Sequence, residues 1–246
     1  MIRAIAHRGF SSKYPENSML AFEKAIEIGA DGAEFDVQLS KDGVPIVFHD
    51  ESLLRITGTD ALIANLRLEE LRSFDITYRF QGECAPQRIP TLEEYFQLVA
   101  QRDFLSIVEL KTAFNEYPGI EEKVIDLVRA YDLAERVIIS SFNHYSLLRS
   151  KAIAPALPHA ILYECRIAEP QRYAKELGMQ YLHPYYQFLN DEELQKYESA
   201  GIRTNPWTVD AEADMQYLLG QQNIFAIMSN KPDVLMAQRD EALRKA

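Results

Sequence analysis

The sequence has few cysteines, no long apolar run and a deficit of positive charge. Its 246 residues include two cysteines, Cys84 and Cys165, which stand far apart and without CxxC spacing. A disulfide framework or a cysteine-based zinc site is therefore not expected, and we expect both thiols to be buried as small hydrophobic groups. No apolar run approaches the ~20 residues that a membrane-spanning helix needs, so a membrane is not an expected partner.

The deficit of positive charge restricts the possible partners further. The chain carries 26 Lys and Arg against 37 Asp and Glu, which gives a formal net charge of −11. This balance disfavours nucleic acids and anionic membranes, because both attract basic surfaces. A small molecule that bears phosphate would need a local cation and a few basic side chains. The opening residues, MIRAIAHRGF, lack the long apolar region of a signal peptide, so we expect a cytoplasmic protein, either a monomer or a homodimer.

What is present is a regular alternation of β-type runs with helical patterns. The predicted strands are residues 2–6, 33–39, 104–110, 136–142, 159–164, 181–184, 202–209 and 224–229. The predicted helices cover 17–29, 91–102, 119–131, 143–152, 169–177, 191–200, 210–220 and 232–244. This alternation over about 250 residues predicts an α/β fold, a TIM (β/α)₈ barrel. A doubly wound sheet is the competitor, but the GxGxxG and GxxxxGK[ST] patterns of its nucleotide-binding versions are missing.

One long stretch after the second predicted strand breaks this rhythm. We interpret the chain, 1–246, as one TIM-barrel domain with a small insertion at approximately 43–90. The insertion carries short extended pieces and a small helix near Arg67–Ser73. Because barrel sites are built from loops at the carboxyl ends of the strands, the insertion is expected to lie beside the site.

Three carboxylates stand near the ends of neighbouring predicted strands. They are Glu34, Asp36 and Glu109. Together they form an oxygen-rich set that suits a hard cation such as Mg²⁺ or Ca²⁺. Zinc is less favoured, because there is no HExxH pattern and no cysteine cluster. The alternative is that these are solvated acidic residues at the rim of the barrel.

Two histidines and two other polar residues are candidates for chemistry. His7 and His49 could act as general base and general acid on one bond, since imidazole titrates near neutral pH. Their alternative is an ordinary structural role. Arg8 could clamp a phosphate through two parallel hydrogen bonds or form only a surface ion pair. Asn17 could cap the helix that follows it or reach into the site.

Several short words of the sequence occur together and in order. They are HRG (7–9), PENS (15–18), the E-x-D pair (34–36), SKDGVPIVFHD (40–50), R-x-TG (55–58), IPTLEE (89–94), IVELK (107–111), ISSF (139–142), PWTV (206–209) and IMSNKPD (227–233). In these words the chain resembles the glycerophosphodiester phosphodiesterase family, most closely its short bacterial cytosolic members. The resemblance implies a TIM barrel that hydrolyses glycerophosphodiesters to glycerol 3-phosphate and an alcohol, a reaction of lipid and glycerol metabolism.

The resemblance also implies a role for each matching residue. A divalent cation would lie on Glu34, Asp36 and Glu109, and His7 and His49 would be the catalytic pair. The remaining matching residues would bind substrate: the phosphoryl-contacting Arg8 and Lys111, the nearby Asn17, and the apolar wall of Phe142 and Trp207. Plain core packing is the alternative for the two aromatic residues. Attack by the substrate's own glycerol hydroxyl, through a cyclic phosphate, and direct attack by water both stay open, as does which histidine is the acid.

The chain departs from the family pattern at two places. Asp210 follows PWTV where the family often has Asn, and Ser229-Asn230 stands where it often has Thr-Asp. We expect both departures to lie outside the catalytic set and to affect substrate preference.

Three alternative functions remain: a metal-dependent barrel enzyme acting on sugars or enolates, a noncatalytic phosphodiester-binding protein, and a phospholipase D-like barrel enzyme.

Overall fold

The computed structural model describes residues 1–80 and 82–245. The strands are β1 (Arg3–His7), β2 (Gly32–Leu39), β3 (Pro45–Val47), β4 (Leu105–Leu110), β5 (Val137–Ser141), β6 (His159–Tyr163), β7 (Tyr181–Pro184), β8 (Arg203–Thr204) and β9 (Ala226–Ser229). The helices are α1 (Met19–Glu27), α2 (Leu54–Thr57), α3 (Leu68–Leu71), α4 (Leu92–Val99), α5 (Ile120–Ala130), α6 (His144–Ile153), α7 (Pro170–Glu176), α8 (Asp191–Ser199), α9 (Glu212–Leu219) and α10 (Pro232–Lys245).

The parallel strands form a barrel, which confirms the predicted fold. Their order is β8-β7-β6-β5-β4-β2-β1-β9, and every neighbouring pair is parallel. A parallel bridge between Thr204 and Ile224 brings the two ends of this sheet together. Only β3 lies off this path, where it pairs antiparallel with β2. The carboxyl ends of the parallel strands therefore share one rim, where barrel enzymes carry their sites.

Alternation along the strands divides the side chains into two layers. Outward-facing residues pack against the helices in the large hydrophobic core. Inward-facing residues form a small apolar cluster inside the barrel: Ile5, Ile107, Ile138, Ala160, Tyr181, Ala226 and Met228. Further along the same strands the inward positions become polar, at Glu34 on β2 and Glu109 on β4. The apolar cluster thus closes the amino end of the barrel, and the polar positions open towards the rim.

The stretch between β3 and α4 has its own apolar centre. Its buried residues are Ile46, Phe48, Leu53, Ile56, Ile63, Leu71, Ile76 and Ile89. The helix expected near Arg67–Ser73 is present as α3 (Leu68–Leu71). This packing fixes the stretch beside the rim of the barrel, because its first buried residue, Ile46, belongs to β3 on the edge of β2.

Two local expectations were wrong. The strand predicted over 202–209 is reduced to Arg203–Thr204, since Pro206 has no N–H to donate to a ladder. Cys165 is exposed and Cys84 is half-buried, and both are free thiols. Cys165 follows β6 in a loop between Glu164 and Arg166, and such a loop runs over the surface instead of through the core.

None of the helices in the described part of the chain has the length and hydrophobicity that crossing a membrane requires.

Candidate active site

Three carboxylates meet at the carboxyl rim of the barrel. Glu34 and Asp36 lie two residues apart on β2, so both point inwards. Asp36 stands in register with Glu109 on the neighbouring β4. All three are buried, and one carboxylate oxygen from each lies within 4.8 Å of the others. The three predicted acidic residues therefore form one cluster instead of a solvated rim.

This cluster holds more negative charge than its neighbours balance. Burial and the nearby Asp36 and Glu109 raise the pKa of Glu34 well above its usual range. Its Oε2 atom is buried and has no hydrogen-bond partner. Lys111 offsets part of the charge, with Nζ 3.0 Å from Glu109 Oε1 and 3.7 Å from Asp36 Oδ1. A hard divalent cation fits this donor set of carboxylate oxygens, because it would pair the unsatisfied oxygen and remove the repulsion.

Asp36 remains the most readily ionised of the three carboxyls. Burial acts to raise its pKa, but His49, Arg8, Lys111 and the Asn17 amide outweigh that effect and hold the pKa far below its usual range. The Asn17 Nδ2 atom donates to Asp36 Oδ2 at 2.9 Å. A negative charge at the centre of the cluster therefore persists at neutral pH.

The two predicted histidines line the same cavity as Glu34 and Glu109. His7 ends β1, and its Nε2 atom lies 3.6 Å from Glu34 Oε2. Burial and the adjacent Arg8 lower the pKa of His7 to about 4. His49 comes from the loop after β3, and its Nδ1 atom lies 2.5 Å from Asp50 Oδ1. One imidazole thus comes from the barrel and the other from the inserted stretch.

The backbone on both sides of His49 is anchored to β2. The Phe48 N–H donates to the Asp36 carbonyl at 3.0 Å. The buried Gln38 amide donates to the carbonyls of Phe48 and Asp50, at 2.7 and 2.9 Å. Tyr117 in turn donates its hydroxyl to Gln38 Oε1 at 2.9 Å. These bonds hold the imidazole of His49 over the carboxylates although its loop is outside the barrel.

A chain of ion pairs joins Arg8 to His49. Arg8 donates to Glu16 at 2.9 Å, and Glu16 accepts two further bonds from Arg55, each of 2.8 Å. Arg55 also donates to Asp50 at 2.5 Å, and Asp50 holds His49. Sequence reasoning did not single out Glu16, Asp50 or Arg55. Each of them stands in one of the quoted words, PENS, FHD and R-x-TG, so those words were the available signal.

Asn17 does not cap the first helix. The cap of α1 is Ser18, whose hydroxyl accepts from the Ala21 N–H at 3.1 Å. Asn17 has φ of 55°, a conformation that asparagine tolerates better than most residues. This turns its buried amide towards Asp36, and its Oδ1 atom has no partner. Of the two predicted possibilities, helix capping is thus excluded, and the Asn17 side chain lies against Asp36 of the carboxylate cluster.

The cavity above the carboxylates has a volume of about 420 Å³. The rings of Phe142 and Trp207 meet edge to face on its wall, with centroids 5.6 Å apart. Trp207 donates its indole N–H to the His183 carbonyl at 2.9 Å, which fixes the ring. Both aromatic residues line the cavity, together with the highly exposed Phe114 at its mouth. A polar group bound at the carboxylates would thus extend along an apolar wall.

The two departures from the family pattern lie closer to the predicted catalytic residues than the sequence led us to expect. Asn230 Oδ1 lies 2.8 Å from His7 Nδ1, and Asn230 Nδ2 donates to Asp210 Oδ2 at 2.6 Å. Asn230 therefore contacts His7 directly, and Asp210 reaches His7 through Asn230. Their separation of 20 residues hid this contact, although both follow strands that end at the rim.

Comparison with known proteins agrees with the fold. The family model of the glycerophosphoryl diester phosphodiesterase family matches residues 7–234. A glycerophosphodiester phosphodiesterase of Caldanaerobacter subterraneus subsp. tengcongensis is 42% identical over 94% of this chain and 95% of its own. A glycerophosphodiester phosphodiesterase of Bacillus altitudinis is 37% identical over 98% of this chain and 99% of its own.

A solved structure is also similar. A phosphodiesterase of Oleispira antarctica, in complex with the product sn-glycerol-3-phosphate, superposes with a TM-score of 0.85 at 28% identity, over 97% of this chain and 96% of that one. The fold and these matches define an enzyme that hydrolyses phosphodiesters on a TIM barrel. The chain belongs to the glycerophosphoryl diester phosphodiesterase family.

Proposed function

We propose that the enzyme uses a divalent cation, Mg²⁺ or Ca²⁺, to hydrolyse glycerophosphodiesters to sn-glycerol 3-phosphate and an alcohol such as choline, ethanolamine or glycerol. Glu34, Asp36 and Glu109 hold the cation. The observation that carries this proposal is the buried carboxylate cluster, with one unpartnered oxygen, on the same cavity as two histidines. The product named in the Oleispira complex supports the same substrate class. We expect this reaction to take place in the cytoplasm.

Charge explains why the substrate needs the cation and the two basic residues. Three buried carboxylates repel a phosphodiester, and the whole chain has a net charge of −11. A bound cation would act as a Lewis acid on a non-bridging phosphoryl oxygen. Arg8 and Lys111 lie beside Asp36, so their positive charges would act on the same phosphoryl group as the cation. They stabilise the negative charge that develops on the phosphoryl oxygens during the reaction.

The two histidines exchange protons with the reacting oxygens. One imidazole accepts the proton of the attacking oxygen, which belongs either to water or to the substrate's glycerol hydroxyl, as the new P–O bond forms. The other donates a proton to the departing alkoxide as the old P–O bond breaks, so the alcohol leaves neutral. This division needs two rings on one cavity, which His7 and His49 provide. General acid–base catalysis of this kind contributes roughly 10²–10⁴-fold.

The remaining site residues orient the substrate. Asn17 lies against Asp36 and presents a free carbonyl oxygen that a substrate hydroxyl or the cation can use. Phe142 and Trp207 form the apolar wall along which the glycerol carbons or the alcohol lie. The wall excludes water from one side of the phosphorus, which strengthens the electrostatic interactions there.

The proposal is tested by the release of glycerol 3-phosphate from glycerophosphocholine. We expect excess EDTA to abolish the release and added Mg²⁺ or Ca²⁺ to restore it. We also expect His7→Gln and His49→Gln to lower kcat by roughly 10²–10⁴-fold in folded protein. His144→Gln is the matched control, because His144 lies on α6 and pairs with Tyr173 instead of lining the cavity. Full activity in EDTA, or normal turnover in either site variant, would refute the proposal.

A further inference from the structure

The Nδ1 side of the His7 ring points away from the carboxylates. It is held by the amide of Asn230, which is held in turn by the carboxylate of Asp210. His7 Nδ1 lies 2.8 Å from Asn230 Oδ1. Asp210 then holds Asn230 at two points: Oδ2 accepts from Asn230 Nδ2 at 2.6 Å, and Oδ1 accepts from the Asn230 backbone N–H at 2.9 Å. The Ser229 hydroxyl also donates to Asp210 Oδ1, at 3.0 Å. Both carboxylate oxygens of Asp210 are thus used as acceptors.

The fold brings these residues together at one seam of the barrel. β9 pairs with β1, with Ser229 in register with Ala6. Asn230 follows Ser229 as His7 follows Ala6, so the two residues lie side by side. Asp210 approaches from the loop between β8 and α9, and its backbone neighbour Val209 donates an N–H to the Met228 carbonyl on β9 at 2.9 Å. The arrangement therefore depends on strand register and is not a chance surface contact.

The chemistry of the three groups fixes where the protons lie. An ionised carboxylate only accepts hydrogen bonds, so the NH₂ group of Asn230 must face Asp210. The amide oxygen of Asn230 must then face His7, and this oxygen cannot donate. The proton of a neutral His7 ring is consequently on Nδ1. Nε2 is left with its lone pair directed into the cavity, where Glu34 Oε2 and Thr208 Oγ1 lie 3.6 and 3.5 Å away.

We propose that Asp210 and Asn230 are positioning residues that hold His7 in the tautomer with a free Nε2, so that this atom can take the proton from the attacking hydroxyl. The proposal rests on the proposed function, in which His7 exchanges a proton with substrate. His49 is held differently, since its Nδ1 atom contacts the carboxylate of Asp50 directly. The two imidazoles are thus held by different partners, one by an amide and the other by a carboxylate.

Asp210 and Asn230 also allow a test in which a second substitution reverses the harmful effect of the first. In Asp210→Asn, the new amide keeps its oxygen on the Asn230 N–H and the Ser229 hydroxyl, and its NH₂ then faces the NH₂ of Asn230. Asn230 must flip, which presents a donor to His7 Nδ1 and moves the ring proton to Nε2. In the double variant Asp210→Asn/Asn230→Asp, the new amide donates to the new carboxylate, which again accepts from His7 Nδ1. The original tautomer returns.

The experiment measures glycerophosphodiester turnover together with the ¹⁵N spectrum of histidine-labelled enzyme. The His7 signals are assigned by comparison with His7→Gln. We expect Asp210→Asn to lower kcat by roughly 10²-fold with KM little changed, since neither residue contacts substrate. We expect its His7 proton on Nε2. The double variant should recover at least about tenfold of the lost kcat and show the proton on Nδ1, as the unmodified enzyme does.

Controls separate this proposal from folding defects and from the proposed function. Asp191→Asn makes the same change where the carboxylate accepts from Tyr217 on the surface, and should alter neither readout. If Asp210→Asn does not fold, Asn230→Ala must lower kcat and leave His7 without a single tautomer. A normal kcat or an unchanged tautomer in a folded single variant overturns the proposal, and so does a double variant no better than the single one. An enzyme inactive on every glycerophosphodiester would refute the proposed function instead, while the tautomers could still be read.

Discussion

Glu34 is the residue at which the charge of the site is least balanced. It is buried between Asp36 and Glu109, one of its oxygens has no partner, and its pKa is raised by burial and by these two neighbours. A raised carboxyl pKa means that folding disfavours the ionised form, so this charge destabilises the protein above the pKa of the unfolded state. A bound cation would reverse that effect. In the proposed function, Glu34 would therefore link metal binding to the stability of the fold.

We predict that Glu34→Gln separates these two effects. Without metal, the variant should melt at the same temperature as the unmodified enzyme or higher, because a buried charge has been removed. Added Ca²⁺ or Mg²⁺ should stabilise only the unmodified enzyme, by about 2.7 kcal/mol when the free cation is 100-fold above its Kd. Thermal melting with and without the cation measures both effects.

The matched control for that measurement is Glu164→Gln. Glu164 lines the same cavity but stands outside the carboxylate cluster, so its variant should keep the stabilisation by metal. Equal stabilisation of Glu34→Gln and the unmodified enzyme by the cation would show that Glu34 is not a ligand.

Residues whose direction follows from strand alternation could be predicted from the sequence. Glu34, Asp36 and Glu109 are of this kind, since a strand fixes which side chains point inwards. Asn230 and Asp210 are not, because their contact depends on which loops meet at the seam between β9 and β1. The position of Asn17 was left open for a similar reason: Ser18 and Asn17 are equally good caps by composition, and only the backbone decides between them.

At the level of elements, β6 and α6 are joined through a buried histidine away from the site. His159 on β6 is fully buried, and its ring contacts the Ser150 hydroxyl on α6 at 2.9 Å and the Leu157 carbonyl at 2.8 Å. Burial lowers the pKa of His159 from 6.5 to about 4. Between these two values the unfolded chain binds a proton that the folded chain does not. Stability is therefore lost as the pH falls through this window.

We predict that His159→Gln loses less stability than the unmodified protein as the pH falls. From about pH 7 to about pH 5, His159 alone should remove about 2 kcal/mol from the free energy of unfolding of the unmodified protein. Denaturant unfolding at the two pH values measures the difference, and the variant should lose correspondingly less. Ser150→Ala, which leaves the imidazole buried, should keep the full acid sensitivity. An identical loss in His159→Gln and the unmodified protein would show that this histidine does not carry the effect.

The presence of each strand and helix could be predicted from the sequence more readily than the residues at which it begins and ends. Runs of β-type residues indicated all eight strands of the barrel, because most of the residues in these strands are buried. It overextended β8, because beyond Thr204 the pairing continues as an isolated bridge between Tyr185 and Trp207 instead of a regular strand. Short pieces of the inserted stretch, such as α3, could be anticipated only approximately, since their own small core determines where they lie.

At the scale of the whole molecule, the site exists because the barrel and the inserted stretch meet. β1, β2 and β4 supply His7 and the carboxylates, and the stretch after β3 supplies His49. We propose that residues 1–246 form one domain in which the stretch at approximately 43–90 is an insertion. Gln38 and the ion pair between Arg55 and Glu16 connect the two parts and keep His49 facing the barrel. The account therefore depends on one cation site at the carboxylates that faces histidines from both parts.

The most direct test of that claim is a crystal structure of the enzyme with Ca²⁺ and sn-glycerol 3-phosphate. The account predicts one cation about 2.3–2.6 Å from oxygens of Glu34, Asp36 and Glu109, with the phosphate between His7 and His49. A cation and a phosphate that bind elsewhere, with no metal ion on the three carboxylates, would contradict it.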